Sequence, residues 1–238
     1  MTIGMIVLLA AAILIYLGAA QRVLDRLRLT DRAALLFVGA LLVGGFLPDI
    51  PLSDNVLINI GGGIVPIGLA VYLIVRAGTA KEKIRAIVAT LVTAAVVYAA
   101  MKIMPLEPTY NFFLDPIYLF AIIAGVVGYL AGRSRRSAFI AGSMGLLLTD
   151  IFSRIEIMIR GGSGRMVIGG AGVFDSIVIG GILALLLAEI IGETRERVQG
   201  GPSMDRPENL RRGLSDEEFA EELDREDGEG KEGDGYEE

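Results

Sequence analysis

Asp150 and Asp175 are the residues of this chain best placed to do chemistry, because each interrupts an apolar run, "GLLLTDIFSR" and "GAGVFDSIV". An ionised carboxylate at mid-bilayer costs at least ~2.5–3.5 kcal/mol on insertion scales, so it faces a bundle interior, pairs, or keeps its proton. With Ser137 as the inner edge of one helix, Asp150 lies ~20 Å along it at 1.5 Å per residue. With Gly192 as the inner edge of the next, Asp175 lies ~25 Å along. Sequential antiparallel helices are neighbours, which puts the two carboxylates within about one turn of the same level. Two carboxylates that close in a low dielectric do not readily both ionise. They share a proton, the arrangement by which aspartic proteases activate water.

What the chain lacks sharpens this. Its 238 residues include no Cys and no His. Disulfides, thiolate chemistry, Ser-His nucleophiles, HExxH zinc sites and His relays are all excluded. Neither a cofactor nor a metal site is expected. Any catalysis falls to Asp, Glu, Lys, Arg, Ser, Thr or Tyr.

Glycines accompany the second aspartate. Gly169, Gly170 and Gly172 let backbones approach closely, and they can open the helix start, leaving N–H groups beside Asp175. Plain helix packing accounts for them equally well, and Gly180 and Gly181 continue the small-residue face. Thr149 and Ser176, adjacent to the two aspartates, are supporting candidates. A second break lies in "INIGGGIVPIG", where Asn59, Gly61, Gly62, Gly63 and Pro66 cluster. Pro66 cannot donate to the Gly62 carbonyl and should kink the helix. The freed carbonyls there either coordinate a cation or are satisfied by a neighbour. Asp49, Asp54, Glu107 and Asp115 form an acidic rim, explained by interface solvation and capping or by an inlet for cations. Arg154 competes with any role for Asp150, since it either pairs with Glu156 or neutralises the aspartate.

The elements that must hold these residues are helices in a membrane. Hydrophobic residues make up 53% of the chain, and the mean hydropathy of +0.59 is too high for a soluble domain of this size. Seven apolar runs approach the ~20 residues needed to cross a bilayer core: Ile3–Ala20, Ala33–Leu47, Val56–Val75, Ile84–Met101, Phe112–Ala131, Ser137–Ile159 and Met166–Ile191. The fold expected is all-α, a polytopic membrane helix bundle of about seven spans over residues 1–192. Residues 193–238 form a separate acidic tail.

Charge sets the orientation. Arg22, Arg26, Arg28 and Arg32 follow the first run, whose own start, "MTIGM", has no basic residue, so it is not a cleaved signal peptide. The basic excess in alternate loops puts the N-terminus outside and the C-terminus in the cytoplasm of a multi-pass cell-membrane protein. From Glu193 onward, 17 acidic and 7 basic residues give the tail a net −10 and leave +4 for the rest. The tail reads as disordered. Within it, "LSDEEFAEELDRE" carries a capping-box signal at Ser215 and Glu218, so it is either a solvated tail or a docking segment for a cytoplasmic partner.

Two internal segments echo each other, each entered by Ile-Gly-Gly: residues 58–75 and 166–185. Both start outside and run inward, so a true repeat would be related by an axis along the membrane normal.

Paired aspartates on consecutive spans, the second beside Gly-x-Gly, resemble the GxGD intramembrane aspartyl proteases, which include presenilin, signal peptide peptidase and the prepilin peptidases. That resemblance implies Asp150 and Asp175 as a catalytic dyad acting on a transmembrane peptide. The chain departs from the pattern in having Val173 and Phe174 between Gly172 and Asp175, Thr149 where Tyr is usual, and no Pro-Ala-Leu segment on a ninth span. The chain as a whole, including "RVLDRLRLTDRAAL" and "GGAGVFD", resembles a family of uncharacterised prokaryotic multispanning membrane proteins. Three functions are therefore carried forward. The first is an intramembrane aspartyl protease. The second is a proton- or cation-coupled transporter built on the same aspartates, which convergence of Asn59 and Asp175 at one depth would favour. The third is a non-catalytic scaffold. The lipid bilayer is a partner in all three, and nucleic acid in none, because the one large soluble segment is acidic.

Overall fold

The computed structural model describes residues 2–104, 116–162, 166–170 and 173–198. Gly172, Glu107, Asp115, Arg165 and the tail island at Ser215 lie outside them. By internal contacts the chain divides into two units, Met1–Ile191 and Gly192–Glu238, and the first carries every element discussed here. Its helices are α1 (Ile3–Tyr16), α2 (Gln21–Leu27), α3 (Asp31–Gly44), α4 (Val65–Val75), α5 (Ala80–Ile103), α6 (Pro116–Gly132), α7 (Arg135–Ile159) and α8 (Val173–Val198, which runs past the unit boundary). A π-helical turn, Ile60–Ile64, leads into α4. Three short strands complete the described residues: β1 (Ile50–Ser53), β2 (Val56–Ile58) and β3 (Met166–Ile168).

The helix starts follow from local chemistry. Thr30, Thr79 and Ser134 stand immediately before α3, α5 and α7, and each side-chain oxygen accepts from a backbone N–H three residues on, at 3.3, 3.2 and 3.2 Å. Such a cap contributes about 1 kcal/mol. The first apolar run stops early for an equally local reason. Gly18 takes φ +74° and turns the chain into α2, so α1 ends at Tyr16.

Seven spans is a correction. Among the described residues three helices are long and apolar enough to cross a membrane: Ala80–Ile103, Arg135–Ile159 and Phe174–Thr194. Ile3–Tyr16, Ile60–Val75 and Pro116–Gly132 are shorter apolar helices, and α3 has 14 residues. Hydropathy measures how apolar a run is, not whether one helix occupies it. The third run, Val56–Val75, begins as strand, passes through the π turn and leaves only 11 residues for α4. The last, Met166–Ile191, also begins as strand.

Those strands form one sheet in the order β1-β2-β3. β1 pairs antiparallel with β2, Ile50 opposite Ile58, and Pro51 is tolerated because β1 is an edge. β2 and β3 are parallel, Ile58 opposite Ile168, and Asn59 N–H continues the ladder to the Ile168 carbonyl at 3.0 Å. Two strand–glycine–helix units therefore start side by side and run the same way. Their spatial register differs by two residues from the Ile-Gly-Gly match in the sequence.

α5, α6 and α7 pack closely on one another. Val97, Phe120, Ala124, Leu146, Leu147 and Ile177 bury against one another there. A second cluster, Leu8, Leu41, Phe174 and Val178, joins α1 and α3 to the opposite side of α8. At the far end of α4 its last carbonyl, that of Arg76, accepts from Arg28 Nη1 at 3.3 Å and from Arg136 Nη1 at 3.5 Å. The buried Arg136 also pairs with Glu82 at 3.2 Å, and Arg135 pairs with Glu189.

Candidate functional site

The two breaks meet. Gly62, in the π turn, lies directly against Gly169, and a Cβ added to either would overlap the other's backbone. Gly169 has φ +68°, a left-handed conformation that glycine adopts without the steric penalty of a side chain. On its other side the π turn packs on the end of α3, where Gly61 contacts Gly44 and Gly45. Asn59 organises this corner. Its Oδ1 accepts from Gly62 N–H at 2.8 Å, capping the π turn, and its Nδ2 donates to Asp49 Oδ1 at 2.9 Å. Pro66 follows directly on the π turn, whose helical backbone runs on into α4, and having no N–H it cannot donate to a carbonyl of that turn.

A cavity of about 420 Å³ opens where these segments converge. Its polar lining includes Asp49, Asn59 and Asp175, with the backbones of Gly169 and Gly170 and, from α1, Thr2. Asp175 stands in the first turn of α8 and is 5% exposed. Its Oδ1 is buried and, among the described residues, has no hydrogen-bond partner. Leaving a buried acceptor unsatisfied costs about 1–3 kcal/mol, so the group calls for a ligand, a proton or a water. On its outer side α1 crosses close by: a Cβ at Gly4 would come within 2.5 Å of Asp175 Oδ1 and 2.9 Å of its Cα. Only a glycine lets α1 lie this near the carboxylate.

Asp150 does not line this cavity. Its Oδ2 accepts from the N–H of Gly169 at 3.2 Å, so it fastens α7 to the turn that precedes α8. Asp175 points elsewhere. Gly180 meets Leu146, and Gly181 meets Phe139 and Ser143, which defines the face of α8 turned to α7. Five and six residues separate Asp175 from them, which places it about 120–140° around the helix, toward α1. The two carboxylates share no hydrogen bond. Asp150 bonds to Gly169, and Glu156 accepts from Tyr98 at 2.6 Å and pairs with Lys102 and, at 2.6 Å, with Arg160.

Thr149 and Ser176 serve helix packing. Thr149 donates to the Gly145 carbonyl at 2.8 Å and to the Ala94 carbonyl of α5 at 3.2 Å. Ser176 donates to the Ile117 carbonyl of α6 at 3.1 Å. Gly63 packs against Ile58 and the Ile168 carbonyl, beneath the strand pair. Of the sequence-derived site residues, Asn59, Gly169, Gly170 and Asp175 come together on the cavity. Gly61, Gly62 and Gly63 pack against neighbouring segments and do not line it. Gly4, Thr2 and Met5 were missed. A glycine two residues into an otherwise apolar helix was their one signal.

No curated protein and no solved structure matches the chain. A family model described as protein of unknown function (DUF1614) matches residues 36–187, a segment that holds both aspartates, Asp49 and both glycine breaks. The chain belongs to that family.

Proposed function

We propose that this protein is a proton- or cation-coupled membrane transporter whose ion site is the cavity at the start of α8. The observation that carries this reading is Asp175, buried with an oxygen that has no partner among the described residues, converging with Asn59 and Asp49 on one cavity where two broken segments begin. Transporters bind at such breaks because irregular backbone is tolerated within a membrane only where it lines a cavity or is covered by protein. Asp175 ionised holds the cation, and Asp175 protonated releases it.

The orientation that suits this function has the cavity facing outward, with the N-terminus outside and the C-terminus in the cytoplasm. Arg28, Arg76 and Arg136 gather at the other end of α4, as the positive-inside rule expects of a cytoplasmic face. A shared-proton dyad, as an aspartyl protease needs, draws less support, because Asp150 is engaged with Gly169 and stands off the cavity.

Liposomes holding the full chain and a pH-sensitive dye, challenged with sodium, potassium or 2-phenylethylammonium chloride, test the proposal against protein-free liposomes. Proton movement driven by a cation gradient should disappear in Asp175→Asn and persist in Asp150→Asn. Undiminished flux in Asp175→Asn would reject the transport site. Cleavage of a reporter transmembrane peptide that is lost in both variants would replace it with the protease.

A further inference from the structure

We infer that the cavity takes an organic cation, a primary ammonium carried on a compact apolar or aromatic body, rather than a bare metal ion. This rests on the transport reading above and specifies its cargo. Size comes first. A cavity of about 420 Å³ has room for about fourteen waters at ~30 Å³ each. A single inorganic ion would leave most of that volume to solvent. Small-molecule sites run from about 300 to 1,000 Å³, with largely apolar walls and a few polar anchors.

The lining fits that description. Met5, Leu47, Pro48, Val167 and Phe174 supply apolar wall, and two carboxylates, Asp49 and Asp175, supply the charge. A metal is poorly served here. Hard cations take about six to eight oxygens, yet Asn59 has already committed its Oδ1 to Gly62 N–H. Among the described residues no group of three or more His, Cys, Asp and Glu side chains is arranged to hold an ion. An ammonium asks for less. Its three N–H donors need three acceptors; Asp175 lines the cavity, and its carboxylate has one oxygen, Oδ1, with no hydrogen-bond partner among the described residues. Asp49 keeps a second oxygen beyond the one bound to Asn59.

Thermal unfolding of the purified full chain in detergent, titrated with 2-phenylethylammonium chloride, tests the assignment. The comparison ligands are 2-phenylethanol, which has the same body without the charge, and the chlorides of sodium and potassium. A saturable rise in unfolding temperature is expected with the amine alone. Half-saturation should be weaker by at least roughly tenfold in Asp175→Asn, since a buried charge pair loses a partner. Asp49→Asn, with an expected loss in the same direction, carries the test if the first variant does not fold. An equal rise with the neutral alcohol would overturn the inference by reducing the site to apolar binding. An Asp175-dependent rise with sodium or potassium and none with the amine would overturn the cargo class and leave the transport reading standing. Absence of any shift, together with flux indifferent to Asp175→Asn, would overturn both.

Discussion

Gly142→Ala should loosen the contact that holds α7 to α8. The substitution adds one methyl group at mid-helix. That Cβ would lie 2.6 Å from the Gly180 carbonyl oxygen and 2.9 Å from Ala184 Cβ, where ordinary contact begins at 3.4 Å. Backbone oxygen cannot rotate away, so the two helices must separate by several tenths of an ångström or more. Overpacking of this kind costs about 1–3 kcal/mol. Exchanging Gly for Ala within a helix works the other way, by roughly 0.5–1 kcal/mol. Gly68→Ala separates the two effects: Gly68 is also inside a helix, but nothing lies within 4 Å of where its Cβ would be. The propensity gain is common to both variants, and their difference leaves the contact alone, about 1–3 kcal/mol. Unfolding in sodium dodecyl sulphate, followed by circular dichroism, measures it. Gly142→Ala should unfold at lower detergent fraction than the parent or nearly with it, and Gly68→Ala at higher. Equal midpoints for the two variants would refute the close approach of α7 and α8, and with it the helix rotation that turns Asp175 toward α1.

Three further outcomes follow from named contacts. Asp150→Asn should keep near-parent stability, because an amide oxygen can still accept from Gly169 N–H, whereas Asp150→Leu should lose about 1–3 kcal/mol by orphaning that donor; detergent unfolding of the pair checks whether the role needs an acceptor or a charge. Gly62→Ala should abolish Asp175-dependent flux and lower the unfolding midpoint, because its Cβ overlaps the Gly169 backbone, and a variant with parent-like flux would show that the two breaks do not touch. Glu82→Gln removes the carboxylate from the buried Arg136 and should destabilise by about 3 kcal/mol, read as a lower midpoint than that of Lys83→Gln.

The helical, apolar character of the chain and its two unusual stretches were legible because they depend on composition and on Gly and Pro, whose effects are local. Asn59 with its three glycines and Asp175 with its own could be picked out without knowing what they touched. The span count was not legible. Val56–Val75 and Met166–Ile191 are apolar enough as whole runs to read as helices in lipid, and a three-residue strand leaves no period to detect. What separates strand from helix there is the parallel pairing of Ile58 with Ile168, a contact between residues 110 positions apart. The same holds for the site. Asp150 and Asp175 share depth and neighbourhood in the sequence, but the direction of a side chain depends on which face of α8 is packed. That face is chosen by Gly180, Gly181 and the α7 residues opposite. α1 contributes through Gly4, whose partner lies 171 residues downstream.

Two guanidinium groups, from α2 and α7, grip the final carbonyl of α4 at Arg76. The short helix thus has a tethered foot, and its head continues from a π turn that packs through glycine backbone. If the molecule alternates between shapes, the pivot belongs at the foot and the travel at the head. Amide exchange would then quicken steadily from Arg76 back along α4 toward Asn59, the residue of this segment that lines the cavity.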